Sequence, residues 1–407
     1  MSKTINGVRN VCLAGPWRPS LKGEPSRATH CSRGMSDNII HRFLRSSIAD
    51  LEHDVDLIGD LLAQGEGHDR KVRLLAYAGY RNAQAVRVKG RIVRFEPALK
   101  PGDGMIQKIG AMLEIYNSEE LPGIAVHCEG YGQQAEVLTD DEGYFDFEIA
   151  IDQALPPTTQ WESVTLTTPG RQAQQSGFKV PIIAPGTDHH WGIISDIDDT
   201  VVETGAMDFR RHWRRVVLDR PQDRLAVPGA SALYKMIARD HLAPARPFFY
   251  VSSSPWNLYG FIAEFMELNA IPHGPMFLKD YGFDRGQFVH KGHDDHKLEA
   301  IERVMRFYPD LRFLLIGDNG QRDVTIYAKV VEDFKDRVAA VFIRDVDGSC
   351  REGPEGKLLE QIGAAGVPTF CGAGFDDAIA VVETLKLDRP VEAAQAVLNP
   401  AETKPSA

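Results

Sequence analysis

Residues 192–205 read Gly-Ile-Ile-Ser-Asp-Ile-Asp-Asp-Thr-Val-Val-Glu-Thr-Gly, and this stretch decides the fold class. The apolar pair Ile193-Ile194 runs into Asp196 and Asp198, one residue apart, with Thr200 two further on. Such a run predicts a strand that delivers carboxylates to its C-terminal end, where open α/β sheets bind ligands. Like charges that close raise each other's pKa unless a cation lies between them. The pair is therefore a poor choice for stability alone. A bound divalent metal and a carboxylate ready to attack phosphorus account for both aspartates.

From 189 onward, strand patterns alternate with helical ones, as a parallel doubly wound sheet requires. Strands are predicted at 191–196, 247–252, 311–317, 338–343 and 367–371. Helices are predicted at 229–241, 257–268, 295–307, 321–335 and 374–387. Four segments fall at the functional edge of that sheet: Asp196–Thr200, Ser252-Ser253-Ser254-Pro255-Trp256, Lys297 at a helix start, and Gly317–Asp323. Phosphoryl transfer needs an in-line nucleophile, a proton donor for the leaving oxygen, and positive charge around the equatorial oxygens. Asp196 suits the first role and Asp198 the second. Ser252, Ser253 or Ser254 would hold one phosphate oxygen and Lys297 another, with Thr200 beside them. Asp196 and Asp318 would ligate Mg²⁺, a hard ion that prefers oxygen, and Asp323 would orient a metal-bound water or pair with Lys297. Each segment alone has a plainer reading as a cap, a turn or a solvated lysine. Their common order within one α/β domain favours the chemistry.

The order DxDxT, strand-end Ser, helix-start Lys and GDxxxxD resembles the haloacid dehalogenase (HAD) superfamily of phosphatases. Asp196–Thr200, Ser252–Tyr259, His296–Ile301 and Gly317–Tyr327 resemble, more narrowly, the actin-patch-protein type of Mg²⁺-dependent phosphatidate phosphatase. The resemblance covers roughly residues 70–385, because Tyr77–Gly90 is similar to the run opening that family's N-terminal region. It implies Asp196 as nucleophile, Asp198 as acid/base and backbone metal ligand, Ser252 and Lys297 as phosphate binders, and Asp318 as metal ligand. It also implies hydrolysis of phosphatidate to diacylglycerol. The alternatives are a soluble phosphomonoester or phosphoprotein as substrate, or a non-catalytic adaptor that binds lipid or protein.

Upstream, residues 72–182 carry short alternating runs broken by turn residues, which predicts a β-sandwich of immunoglobulin or transthyretin-like type over 70–186. Pro181–Gly186 reads as a linker to the α/β domain at 189–388. Ile40, Leu44, Ile48, Leu51, Val55, Ile58 and Leu62 recur at helical spacing, so 36–66 is predicted as an amphipathic helix. Its acidic outer face favours packing on protein over anionic lipid, including a second copy of the chain through 36–64. Residues 1–35 read as a disordered basic arm, or as lying upstream of a start at Met35, and 389–407 as a disordered tail. The expected whole is a multidomain chain: helix, sandwich, and an α/β HAD-like domain with minimal cap.

The formal net charge of −11 argues against a nucleic-acid binder. Five scattered cysteines without CxxC spacing predict reduced thiols in a cytoplasmic protein rather than a disulfide framework or zinc site. His290, His293 and His296 could share a metal, but a polar loop leading to Lys297 fits better. No apolar run reaches the ~18 residues of a spanning helix. Arg210, Arg211, His212, Trp213, Arg214 and Arg215 form a basic, aromatic cluster that could steer an anionic phospholipid at a membrane surface.

Overall fold

In Tyr144–Ala150, Phe145, Phe147 and Ile149 are buried while Asp146, Glu148 and Ala150 are exposed. That is the period of two a strand with one wet face requires. The computed structural model describes residues 72–94, 119–168, 177–188, 190–202, 226–239, 246–279, 293–385 and 387. The arm at 1–35, the helix at 36–66 with its oligomer contact, the cluster at 210–215 and the tail at 389–407 lie outside the described residues, as does a strand expected at Met112–Tyr116.

Nine strands form the first sheet: β1 Val72–Ala76, β2 Gly79–Arg81, β3 Ala85–Arg94, β4 Glu119–Glu120, β5 Ala125–Gly130, β6 Gln133–Leu138, β7 Tyr144–Ala150, β8 Gln160–Thr167 and β9 Phe178–Ala184. β3 is the branch point. One edge pairs with β7 and β4, the other with β1 and β2. β2 continues in parallel to β9, and the order runs on through β8 and β5 to β6. Val86, Val88, Phe145, Phe147, Val164 and Val180 lie in its shared apolar core. The expected linker at Pro181–Gly186 is corrected: Pro181 to Ala184 belong to β9, paired with β8.

The second sheet is parallel and six-stranded: β10 Trp191–Ser195, β11 Phe248–Pro255, β12 Met276–Lys279, β13 Arg312–Asp318, β14 Val338–Arg344 and β15 Thr369–Gly372. Its central strands are apolar on both faces because helices cover both. Helices α1 Ala230–Arg239, α2 Tyr259–Leu268 and α6 Ala378–Leu385 pack on one side, through Leu233, Phe265 and Ala378. Helices α3 His293–Phe307, α4 Asp323–Phe334 and α5 Gly353–Ala364 pack on the other, through Val304, Val330 and Ile362. The order β12-β11-β10-β13-β14-β15 reverses at β10. Strands leave β10 in both directions there, which opens a crevice beyond its C-terminal end.

The two sheets pack together around residues 77–82. The Tyr77 ring stacks on Trp256 at 4.3 Å, and the Ala78 N–H donates to Tyr259 Oη at 3.0 Å. Tyr80 enters an aromatic cluster with Phe249, Phe277 and Phe307. Asn82 Nδ2 donates to the Phe307 carbonyl at 2.9 Å, and Tyr308 Oη donates to the Arg81 carbonyl at 3.1 Å. The thiol expectation also needs correction. Cys350 and Cys371 meet as a disulfide, their Cα atoms 6.7 Å apart, because β14 and β15 are neighbours. Cys128 is a buried free thiol.

Candidate active site

β10 ends where the Asp196 N–H donates to the Ile316 carbonyl of β13 at 2.8 Å, so Asp196 sits at the mouth of the crevice. Beyond it the chain turns tightly. The Val201 and Val202 N–H groups both donate to the Ile197 carbonyl, and Asp199 adopts φ +55°. This positive φ is costly for a residue with a Cβ, although Asp tolerates it better than most. Arg344, at the end of β14, donates from Nη1 to the Asp199 carbonyl at 2.7 Å and braces the turn. The turn buries Asp196, Asp198 and Thr200 together.

Lys297 lies in the first turns of α3, and its ammonium is 2.8 Å from Asp196 Oδ1 and 2.7 Å from Asp323 Oδ1. The contact with Asp323 is a directed hydrogen bond. The contact with Asp196 is an ion pair only, since Asp196 Oδ1 is buried without an aligned hydrogen-bond partner. Asp323 opens α4, and its Oδ2 accepts the Asp318 N–H at 3.3 Å. Asp318 Oδ1 accepts the N–H groups of Gly320 and Gln321 at 2.5 and 3.1 Å, which fixes the carboxylate against its own turn. Thr200 Oγ1 lies between Asp196 Oδ2 and Asp318 Oδ2, at 3.4 and 3.5 Å. The loop leaves no room for a side chain at Gly317. A Cβ there would stand 2.4 Å from Asp323 Oδ2 and 2.7 Å from Tyr327 Oη.

Asp198 faces the other neighbour of β10. Its Oδ2 accepts from Ser252 Oγ at 2.7 Å and from Ser254 Oγ at 3.0 Å. Both serines are on β11, and the Ser254 N–H donates back to Ser252 Oγ at 2.8 Å. Ser253, buried, alternates with them along the strand. Every predicted site residue thus lies at the C-terminal edge of β10, β11 and β13 or at the helix starts beside it. Sequence reasoning missed Ser254 as the second donor to Asp198. The i, i+2 period of a strand was the available signal. It also missed Arg344, which announces itself only through packing.

Carboxylate oxygens of Asp196, Asp318 and Asp323 lie within 4.8 Å of one another, and all three residues are buried. One ammonium cannot balance three carboxylates. Burial, followed by the neighbouring aspartates, pushes Asp196 well above the usual carboxylate range despite Lys297. Burial and Asp323 push Asp318 up to about 7. Asp323 is raised as well, again chiefly by burial, with Lys297 opposing. Burial disfavours the charged form of Lys297, but the aspartates outweigh it and its pKa rises. A dry cluster with surplus negative charge and all-oxygen donors fits a hard divalent cation.

Residues 191–345 match the family model described as Phosphatidate phosphatase APP1, catalytic domain. That segment is therefore similar to the APP1 catalytic domain. The match begins at the first residue of β10 and ends just past β14, so it contains every residue of the cluster described above. Phosphatidate phosphatase APP1 of Saccharomyces cerevisiae is 30% identical over 163 residues, which are 40% of this chain and 27% of that protein. An uncharacterised protein of Schizosaccharomyces pombe is 27% identical over 219 residues, 52% of this chain and 34% of its own. The chain thus spans about a third or less of these curated relatives. Among solved structures, a carbohydrate acetylesterase from Xanthomonas citri aligns over 70% of this chain and 71% of its own, at 9% identity and a TM-score of 0.24.

Proposed function

We propose that the chain is a Mg²⁺-dependent phosphatidate phosphatase of HAD type, which releases phosphate and diacylglycerol through an aspartyl-phosphate. The observation that carries the reading is the buried group of Asp196, Asp318 and Asp323 around Lys297, with Asp198 held apart by two serines. The family match supports the substrate, since the yeast relative bears the name phosphatidate phosphatase.

Asp196 is the nucleophile: a carboxylate oxygen attacks phosphorus, and the bond to the diacylglycerol oxygen breaks. Asp198 gives its proton to the leaving alkoxide, then takes one from the water that hydrolyses the aspartyl-phosphate. Ser252 and Ser254 orient Asp198 for both transfers. Lys297 opposes the upward push that burial gives the Asp196 pKa and offsets charge on the phosphoryl oxygens, and Thr200 lies within reach of Asp196 and Asp318. Asp196, Asp318 and Asp323 would hold Mg²⁺, with Asp198 contributing its backbone carbonyl. When bound, the ion supplies positive charge that offsets the surplus carboxylates and the developing phosphoryl charge.

In this reading the catalytic domain is 189–388 and residues 70–186 form a sandwich-like module. Its strands belong to one connected sheet that branches at β3, and Val88, Phe147 and Val180 share one apolar core. The substrate is a lipid, so the protein acts at a bilayer surface as a cytoplasmic, peripheral enzyme. No helix among the described residues is long and apolar enough to cross a membrane. A phosphate-release panel with Mg²⁺ tests the assignment, using phosphatidate, diacylglycerol pyrophosphate, sugar phosphates and phosphopeptides. Phosphatidate should be turned over fastest. Preference for a soluble ester or a phosphopeptide would overturn the lipid assignment, and no release from any member would leave the adaptor reading.

A further inference from the structure

Between the two sheets, beside the site but sharing none of its catalytic residues, lies a cavity of about 310 Å³. Its floor is aromatic and apolar, with Tyr80, Trp256 and Phe277 among its walls. Arg87, Lys89, Lys279 and Arg303 line it together with Asp146 and Glu299. Lys89 lies 4.9 Å from the Trp256 ring, so one cation already rests on the aromatic wall. Two wall nitrogens, Arg87 Nε and His296 Nε2, are buried without a hydrogen-bond partner. Arg87 is otherwise engaged, pairing through Nη2 with Glu148, and the His296 ring bonds the Phe277 backbone. A buried donor left unmade is costly, and such groups in native folds usually mark an ion, a water or a ligand.

We propose that this cavity is a second binding site, distinct from the catalytic cluster, for a phosphate-bearing anion with a small apolar body. Arg87 Nε–H donates to a phosphate oxygen, and the guanidinium's planar fork favours that class of acceptor. Burial lowers the His296 pKa, and an oxyanion beside the ring opposes that by favouring the imidazolium, whose Nε2–H then donates to it. Lys279 and Arg303 supply charge at the rim, and the apolar body lies against Tyr80 and Phe277. The volume is near the lower end of small-ligand pockets, which limits the ligand to a small ester or the headgroup of a lipid. Two wall residues of the cavity lie close in sequence to site residues. Trp256 follows the Ser252–Ser254 run that holds Asp198, and His296 precedes Lys297 on α3.

The full chain, freed of divalent cations so that nothing is turned over, is titrated with glycerol 3-phosphate. A second arm uses phosphatidylcholine vesicles with and without phosphatidate. Trp256 fluorescence reports the cavity, and Trp256→Phe identifies its share of the signal. Saturable binding should weaken roughly fivefold or more in Lys279→Gln/Arg303→Gln, because two of the four cations are lost. It should stay within about twofold in Asp196→Asn, which alters only the catalytic cluster. Arg303 is exposed on α3, so Arg303→Gln alone serves as the arm that keeps the fold, checked by an unchanged melting temperature. Binding of the ester identifies a free phosphate compound, and binding confined to phosphatidate vesicles identifies a headgroup; either supports the site. Absence of saturable binding in both arms overturns it. So does binding that weakens in Asp196→Asn and not in the cation variants.

Discussion

Asp198 receives hydroxyl protons from two serines, and that pairing makes a prediction at the scale of single residues. Ser254→Ala removes one donor while Ser252 still holds the carboxyl group, so the acid/base group loosens. Turnover of phosphatidate should fall about tenfold, equivalent to ~1.4 kcal/mol of barrier, with little change in KM. Ser254→Thr should restore most of it. Equal rates for wild type and Ser254→Ala would remove Ser254 from the machinery. Asp318 gives a second test. Its folded pKa of about 7 lies above the unfolded value of 3.8, because burial and Asp323 disfavour the charge. Such a group contributes stability that is present below the unfolded pKa and lost as pH rises through the folded one. The raised pKa values of Asp196 and Asp323 act in the same direction. Metal-free protein should therefore melt lower at pH 8 than at pH 5.5, and Mg²⁺ should raise the melting temperature more at pH 8, where the carboxylates are ionised. A Mg²⁺ shift that is larger at pH 5.5 would contradict the carboxylate site. At this scale the aspartates, Lys297 and Thr200 were legible, because strand-end carboxylates have few structural reasons to exist. Ser254 was not read, although the strand period of two puts it on the same face as Ser252.

Among the elements, the turn from β13 into α4 positions three of the site's groups at once. Asp318 ends the strand, Asp323 opens the helix, and Gly317 gives them room. Gly317→Ala forces a methyl against Asp323 Oδ2 and Tyr327 Oη. Overpacking of this kind costs about 1–3 kcal/mol, which should appear as a lowered melting temperature together with lost activity. An unchanged melt would mean that the turn relaxes more freely than its packing suggests. The elements read most easily were those with a clear period, such as β7 and the apolar strands β10, β13 and β14. Helix α5 was missed because Gly353, Pro354, Gly356 and Gly363 read as turn residues, although Pro suits the first turn of a helix. Leu359 and Ile362 are its buried apolar contacts with the core, and Leu358 packs beside them half-buried. Strands β1, β2, β4 and β12 were missed, the last three for want of length. The Cys350–Cys371 contact depends on β14 lying beside β15, a pairing that no local pattern announces.

For the molecule as a whole, the junction at residues 77–82 makes the first sheet a support for the second. Tyr80 is buried among Phe249, Phe277, Phe307 and Tyr308 of the α/β part. Truncating an aromatic in such a position costs about 3–5 kcal/mol. Tyr80→Ala should split a single thermal transition into two, as the halves lose their shared core; calorimetry that still shows one transition at the wild-type temperature would deny the junction this role. The sequence pattern separated a β-rich half from an α/β half. It did not foresee that Tyr77 and Tyr80 belong to the second core, because their partners lie more than 160 residues downstream. The central claim is tested most directly by phosphate release from phosphatidate vesicles with and without Mg²⁺, comparing the wild type with Asp196→Asn. The account predicts Mg²⁺-dependent release in the wild type and a loss of at least about a thousandfold in the variant. Release that survives Asp196→Asn, or that proceeds unchanged after chelation, would contradict it.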